Sequence, residues 1–249
     1  METENRILRS GSQWLVALKK CGEDCRGFNA EATTGDSENS LGSILSRELS
    51  EKSTPFSWLE PVHRLDQPVS GCVLYAMTPQ VCAQLGELFA ARKISKTYLA
   101  ITELPRPDSI FSAIQPGDKG TLSHQLLWDS KQRKSRVLET SVKTDRRPWK
   151  KAELEWHLAG CGERYLFFVI HLLTGRTHQI RAQMANAGVP IKGDLKYGAR
   201  RSEKAGGIRL HAECIAFADP ETGVQVQVQA PVPDFDALWQ AFPARQHHT

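Results

Sequence analysis

The sequence predicts an α+β fold in which helices and loops flank a largely antiparallel sheet. Strand-length apolar runs outnumber the segments with helical periodicity, and their spacing suits hairpins. Regular alternation of strand and helix is absent, which argues against a doubly wound parallel fold. The chain has 249 residues, of which 40% are hydrophobic and 24% charged. This size and composition are typical of a globular protein, and we expect one domain over residues 1–249.

The first half of the chain opens with a polar stretch and then becomes dense with structure. Residues 29–57 read as a polar loop region with one short helix at 41–49. Residues 71–77 form an apolar run typical of a buried strand. Thr78 and Pro79 then supply an N-cap and a first helical position. The helix that follows places its apolar residues on one face: Val81, Leu85, Leu88 and Phe89.

The second half predicts further strands and two helices. Strands are expected at 96–102 and 165–173, and a helix at 177–187, closed by Gly188 with Pro190 beyond it. The helix should bury Ile180, Met184 and Ala187. Val224, Val226 and Val228 alternate with glutamine, as in a half-exposed strand. A short helix is expected at 236–242, and 244–249 should be a flexible tail.

Composition argues against several classes of protein. No apolar run is long enough to span a bilayer, and the N-terminus lacks the apolar core of a signal peptide, so we predict a cytoplasmic protein. The six cysteines do not form a disulfide framework. Cys21 with Cys25, and His157 with Cys161, are closely spaced, but neither pair has the spacing of a zinc ribbon or finger. We expect no metal site.

Positive charge is concentrated in two places, although the formal net charge is only +4. Residues 131–151 contain nine Lys or Arg against Glu139 and Asp145. A second cluster comprises Lys192, Lys196, Arg200, Arg201, Lys204 and Arg209. Such clusters attract polyanions, although on charge alone two solvated loops explain them equally well.

One candidate for chemistry is the segment His63-Arg64-Leu65-Asp66. If it is extended, Arg64 and Asp66 share one face and His63 and Leu65 the other. Asp66 would then sit at a turn before a buried strand with cations nearby, as suits an ionised nucleophile. An aspartate before a Pro-containing turn is also common turn chemistry.

The second candidate is the helix start Gly175-Arg176-Thr177-His178-Gln179-Ile180-Arg181. With Ile180 buried, His178 and Arg181 lie three positions apart and share a face. The helix dipole and Arg181 favour a bound anion there, either a carboxylate or a phosphate. An ordinary surface helix start is the alternative.

Four segments occur in one order: HRLDQPVSG at 63–71, KTYLA at 96–100, GRTHQIRAQMANAGVPIKGDLKYG at 175–198 and RLHAECIAF at 209–217. Together they resemble the RluA-type family of RNA pseudouridine synthases, over about 61–232. The resemblance implies a mixed, mainly antiparallel central sheet, one catalytic domain and an RNA cleft across the middle of the sheet.

The resemblance implies roles for particular residues. Asp66 matches the catalytic aspartate, Tyr98 the active-site tyrosine, and Arg181 the arginine that pairs with the aspartate. Arg64 matches a motif arginine that contacts RNA or fills the space left by a flipped base. The basic groups become phosphate contacts, and we select these as RNA-binding candidates: Arg64, Lys134, Arg136, Arg146, Arg147, Arg176, His178, Lys192 and Lys196.

The implied reaction isomerises a uridine in structured RNA, either tRNA or ribosomal RNA, without redox change or group transfer. No cofactor is therefore expected, the partner is RNA, and a monomer is the default. Two departures stand out: Lys19-Lys20-Cys21-Gly22 replaces the family's Lys-Pro-x-Gly, and Val69 stands where a threonine is usual. No separate RNA-binding module is expected before residue 61. The main alternative is an inactive RNA-binding or RNA-folding protein on the same fold. A hydrolase built on Asp66 and a histidine is disfavoured, because no G-x-S-x-G, H-E-x-x-H or phosphate-binding loop is present.

Overall fold

The computed structural model describes residues 5–30, 40–51, 57–138, 148–204, 206–233 and 236–243. Within these residues the strands are β1 (Ile7–Ser10), β2 (Trp14–Lys19), β3 (Phe28–Asn29), β4 (Trp58–Pro61), β5 (Ser70–Ala76), β6 (Ser95–Glu103), β7 (Lys119–Asp129), β8 (Lys134–Val137), β9 (Lys150–Cys161), β10 (Tyr165–Leu172), β11 (Leu210–Ala218) and β12 (Gln225–Gln229). The helices are α1 (Leu41–Glu51), α2 (Pro79–Ala90), α3 (Gln179–Asn186) and α4 (Ala237–Gln240), with a 3-10 turn at Leu195–Tyr197. Strands outnumber helices in this part of the chain, which confirms the α+β prediction.

The chain divides into two compact units: 1–96 with 211–233, and 97–210 with 234–249. The prediction of one domain over 1–249 remains a prediction. None of the helices in the described ranges is long and apolar enough to cross a membrane. Among the described side chains, no group of three His, Cys, Asp or Glu residues is arranged to hold a metal ion.

The first unit is built on strands that pair around β5. Strands β2 and β4 are antiparallel to β5, and β11 is parallel to it. Strand β12 is antiparallel to β11, and β1 to β2. Strand β5 is buried along its whole length, so both faces of the sheet are covered there. One face of this sheet packs against α2 to form the core of the unit. The residues of this core are Trp14, Val16, Cys72, Leu74, Val81, Leu85, Ile215, Phe217, Val226 and Val228.

The second unit is an antiparallel series of long strands. Strand β10 pairs with β6 and β9, β7 pairs with β9, and β7 and β8 form a hairpin. A smaller core beneath the hairpin joins Leu126 and Ala152 to Ala182 of α3 and to Tyr197. Within the basic stretch 131–151, residues 134–137 form β8 and residues 150–151 begin β9, while 139–147 fall outside the described residues.

The predicted elements are present, and several of their boundaries shift by one or two residues. Helix α2 has Thr78 as N-cap, whose hydroxyl accepts from Val81 N–H, as expected. Helix α3 begins two residues later than predicted, because His178 adopts a left-handed conformation with φ 53° and cannot continue the helix. Val224 lies outside β12 and is 62% exposed. Helix α4 is shorter than expected, and residues 244–249 fall outside the described part.

Candidate active site

Asp66 lies in the first unit, at the start of a turn that leads into β5. Residues 64–66 have no regular structure, and the Val69 N–H donates to the Asp66 carbonyl at 2.9 Å, which closes the turn. Arg64 is exposed, Leu65 is buried and Asp66 is half-buried. Exposure thus alternates as an extended segment predicts. The turn holds the backbone of Asp66 in one conformation just before a rigid strand.

A buried lysine that the sequence did not mark as functional supports this turn. Lys19 is fully buried at the end of β2, and its ammonium donates to the carbonyls of Gln67 at 3.0 Å and Val69 at 2.7 Å. The Asp66 carbonyl is a longer acceptor at 3.3 Å. Burial lowers the pKa of Lys19, while nearby acidic groups, among them Asp66, oppose that shift. Lys19 is the first residue of Lys19-Lys20-Cys21-Gly22, the segment that replaces the family's Lys-Pro-x-Gly. This chain therefore keeps the lysine of that motif and lacks its proline.

Two further contacts link the segment after Lys19 to the same turn. The Gly22 N–H donates to the Gln67 carbonyl at 2.8 Å, and the Gln67 side chain donates to the Gly22 carbonyl at 3.0 Å. Gly22 has φ 90°, which favours glycine. Together with Lys19 these bonds satisfy the polar backbone of the turn, whose carbonyls would otherwise be costly to bury.

His63 and Gly71 hold the turn at its two ends. The His63 imidazole accepts from the Leu74 N–H at 3.2 Å and its ring lies 5.1 Å from that of Phe89. Burial, with a smaller contribution from Lys96, lowers the pKa of His63 to about 3, so the ring is neutral. Gly71 has φ 120°, and a Cβ there would lie 2.2 Å from the Ala212 carbonyl oxygen of β11. No other residue type fits this parallel contact.

Arg181 and Tyr98 lie in the second unit. Arg181 is 4% exposed on α3, and its Nε and Nη2 donate to the two carboxylate oxygens of Asp194 at 2.7 and 2.9 Å. Two-pronged pairing of this kind fixes the guanidinium plane. Tyr98 lies on β6, opposite Ile170 of β10, and is 6% exposed. Asp194 belongs to the segment GDLKYG and has no distinctive sequence signal beyond that motif.

Tyr197 brings several predicted residues together. Its ring lies 5.0 Å from the Arg181 guanidinium carbon and 5.0 Å from the Lys134 ammonium, which are cation–π contacts. Its hydroxyl is 3.0 Å from His178 Nδ1 and accepts from the Ser135 N–H at 2.8 Å. His178 and Arg181 thus meet at one side chain, although His178 lies outside the helix.

The remaining RNA-binding candidates differ in the contacts that their side chains already make within the protein. Arg136 pairs with Asp129 at 3.0 Å, and Arg176 Nε donates to the Lys151 carbonyl at 3.0 Å. Lys196 donates to the Arg133 carbonyl at 3.1 Å. All three cations are exposed. Arg146 and Arg147 fall outside the described residues.

Lys192 is held most firmly. Its ammonium lies 2.6 Å from Glu203, which also accepts from Arg209 at 2.8 Å. Burial by itself would raise the pKa of Glu203, and the hydrogen bonds from Arg209 and Lys192 outweigh it and lower the pKa. The Glu203 carboxylate is therefore ionised and retains Lys192 in a mostly buried ion pair.

Known proteins resemble this chain in both sequence and fold. A family model described as RNA pseudouridylate synthase matches residues 13–186. Ribosomal large subunit pseudouridine synthase C of Buchnera aphidicola is 31% identical over 92% of this chain and 67% of its own length. tRNA pseudouridine synthase C of Vibrio vulnificus is 29% identical over 72% of this chain and 74% of its own length.

Other relatives are longer, and two solved structures show the fold alone. The chain spans about half, 52%, of the uncharacterised RNA pseudouridine synthase YlyB of Bacillus subtilis, which is 30% identical over 70% of this chain. The structure of human RNA pseudouridylate synthase domain containing 4 has a TM-score of 0.69 at 19% identity, covering 92% of this chain and 89% of its own. The structure of human RNA pseudouridylate synthase domain containing 1 has a TM-score of 0.66 at 21% identity, covering 94% of this chain and 87% of its own. From the extent of the family match and the Buchnera relative, the chain belongs to the RNA pseudouridylate synthase family.

Proposed function

We propose that this protein isomerises a specific uridine of a structured RNA, in tRNA or ribosomal RNA, to pseudouridine, with Asp66 as the catalytic carboxylate. The observation that carries the proposal is the family match over residues 13–186, a range that includes Asp66, Tyr98 and Arg181. The relatives are named for ribosomal RNA in Buchnera and for tRNA in Vibrio, so both substrate classes suit the proposal. A cytoplasmic location and a monomeric state stay predictions.

The reaction breaks the N1–C1′ glycosidic bond, turns the uracil and joins C5 to C1′. The proton on C5 leaves and N1 gains one, so the product is an isomer of the substrate. Asp66 would assist as an ionised carboxylate, either by covalent attack or by abstracting a proton. The turn anchored by Lys19 supports either role, because it fixes the backbone that carries the Asp66 side chain.

Tyr98 and Arg181 would complete the chemistry. In the proposal the Tyr98 ring stacks on the uracil and its hydroxyl moves a proton. Arg181 would pair with Asp66, as the family resemblance implies, and so favour the ionised carboxylate. The guanidinium plane that Asp194 fixes supports this role, because it presents a cation in one orientation. The target uridine has to leave its stack to reach these groups, as in other enzymes that act on a base.

RNA affinity would come from the exposed cations of the second unit together with Arg64 of the first. Lys134, Arg136, Arg176, His178 and Lys196 are exposed or half-exposed and suit phosphate contacts. Lys192 is less suited to direct contact, because its side chain is mostly buried in the ion pair with Glu203. Arg146 and Arg147 stay candidates on sequence alone.

The test is a comparison of Asp66→Asn and Tyr98→Phe with wild type on unmodified tRNA and ribosomal RNA transcripts. Asn keeps the shape of the carboxylate but not its charge, so single-turnover isomerisation should fall by at least about 10²-fold. RNA binding should stay within a few-fold. Tyr98→Phe keeps the ring and loses the hydroxyl, so it should slow the chemical step more than it weakens binding.

Asp24→Asn is the matched control, because Asp24 lies in the same unit as Asp66 in a surface pair with Arg26. It should isomerise uridine at the wild-type rate. Turnover by Asp66→Asn above about one per cent of wild type would remove Asp66 from catalysis. A wild-type protein that binds these RNAs and forms no pseudouridine would instead favour the inactive RNA-binding alternative.

A further inference from the structure

The β7–β8 hairpin carries one large aromatic side chain at its surface. Leu126, Trp128, Ser135 and Val137 share one face of the hairpin, since Trp128 lies opposite Ser135 and Leu126 opposite Val137. Leu126 and Val137 pack against Ala182 and Tyr197 in the core of the second unit. Trp128 continues this face towards the turn, where it is 43% exposed. Tryptophan is enriched at binding hot spots, so a partly exposed tryptophan at the edge of this core is a candidate contact for a partner.

The surroundings hold the Trp128 ring in place. The ring meets His178 edge to face with centroids 5.3 Å apart, and His178 meets the Tyr197 ring in the same way at 5.6 Å. The strand opposite is fixed by Ser135, whose Oγ donates to the Thr177 carbonyl at 2.5 Å. A rigid aromatic surface loses little conformational freedom when it binds a flat partner.

The charges around Trp128 select a polyanion. Residues 129–138, DSKQRKSRVL, carry four cations and one acid. The acid, Asp129, is neutralised by Arg136 at 3.0 Å. Lys131 and Arg133 are exposed in the turn, and Lys196 lies against the Arg133 carbonyl. An aromatic face bordered by exposed cations matches the pattern of single-stranded nucleic acid sites, in which bases stack and phosphates pair with cations.

We propose that Trp128 is a stacking platform for an unpaired base of the RNA substrate, with Lys131, Arg133 and Lys196 binding the adjoining phosphates. The inference rests on the proposed function for the identity of the partner, but it concerns binding and not the isomerisation step. The platform contributes affinity for an unpaired nucleotide, whichever uridine is modified.

The test uses a short single-stranded oligouridylate and an abasic ribose-phosphate oligomer of the same length. Wild type should bind the oligouridylate more tightly, and Trp128→Leu should lose this preference, with a loss of affinity of about 5- to 150-fold for one stacked base. Trp128→Phe keeps an aromatic face and should retain most of the preference. The salt dependence should stay the same in both variants, because no charge is removed. Lys131→Gln with Arg133→Gln should instead weaken both oligomers and flatten their salt dependence.

Ile110→Ala is the control, because Ile110 is an apolar side chain of the same unit that is 71% exposed and outside the hairpin. It should change neither affinity. If Trp128→Leu is unstable by circular dichroism, quenching of tryptophan emission by the oligouridylate decides: wild type should be quenched more than Trp128→Phe. Equal quenching, or an unchanged preference in Trp128→Leu, overturns the platform.

The binding test of the Trp128 platform can fail or succeed independently of the activity test of the proposed function. Oligouridylate binding needs no turnover, so a wild-type protein that stacks the oligomer but forms no pseudouridine in transcripts would contradict the isomerase and leave the platform standing. Pseudouridine formation with an unchanged preference in Trp128→Leu would contradict only the platform.

Discussion

The buried ion pair between Arg181 and Asp194 predicts a large effect on stability from a small chemical change. Their side chains are 5% and 1% exposed, and two hydrogen bonds of 2.7 and 2.9 Å join them. Asp194→Asn keeps the size of the side chain, but it removes the charge and turns one acceptor oxygen into a donor that faces a guanidinium N–H. One hydrogen bond is lost and the buried guanidinium loses its compensating charge.

The expected cost follows from this burial. Breaking a buried pair by removing one partner costs about 3–5 kcal/mol, whereas an exposed pair contributes about 0–1 kcal/mol. For a chain of this length that corresponds to a fall in Tm of roughly 6–20 °C. Because Arg181 and Asp194 are hydrogen-bonded, the double variant Arg181→Met with Asp194→Leu should cost less than the two single changes added together.

Chemical unfolding followed by tryptophan fluorescence measures these losses. The matched control is Asp129→Asn, which makes the same chemical change in the same unit at a pair whose arginine is 45% exposed. It should cost less than about 1 kcal/mol. If Asp194→Asn proves as mild as Asp129→Asn, the pair is not a stabilising element, and the orientation of Arg181 must come from other contacts.

Two further predictions concern pH and salt. His63 has a pKa of about 3 in the folded protein and an ordinary value near 6.5 when unfolded, so only the unfolded state takes up this proton between those values, and stability falls as pH falls below about 6.5. Between pH 7.5 and pH 5 wild type should lose up to about 2 kcal/mol more than His63→Gln in urea unfolding, an upper limit because the residue as a whole is only half-buried. Equal losses would contradict the low pKa of His63. Neutralising Lys134, Arg136, Arg146 and Arg147 together should weaken RNA binding and reduce the log–log salt slope by roughly 0.7–0.9 for each lost phosphate contact, with little change in turnover at saturating RNA. Parallel salt lines with equal affinity would show that the RNA lies elsewhere, as along the cluster from Lys192 to Arg209.

Local sequence signals predicted the elements that depend on short-range chemistry. Thr78 and Pro79 start α2 because a side-chain cap and a fixed φ act within one turn of helix. The apolar run before them is long enough to indicate the buried strand β5. The long strand β9 was predictable in principle, since Ala152, Leu154, Trp156 and Leu158 alternate with polar residues. Only its first two residues, Lys150 and Lys151, belong to the basic stretch, which charge alone explains equally well as a solvated loop.

Motif order predicted the family and the candidate residues Asp66, Tyr98 and Arg181. The sequence also placed Asp66 in a turn, because a proline two positions after an aspartate is typical turn chemistry. It could not show that Lys19 holds that turn. The interaction joins positions about fifty residues apart, and the sequence does not show whether a lysine is buried or exposed.

Only the tertiary structure decided which polar groups meet. Asp194 became the partner of Arg181 because α3 and the following 3-10 turn bring a charge pair into the interior, where neither ion is stable alone. His178 lies just before the helix, and its side chain contacts Tyr197, as do those of Arg181 and Lys134. Trp128 became a surface group through strand pairing, since register decides which side chains face the core and which reach its edge. Such contacts depend on residues distant in sequence, so composition and periodicity do not contain them.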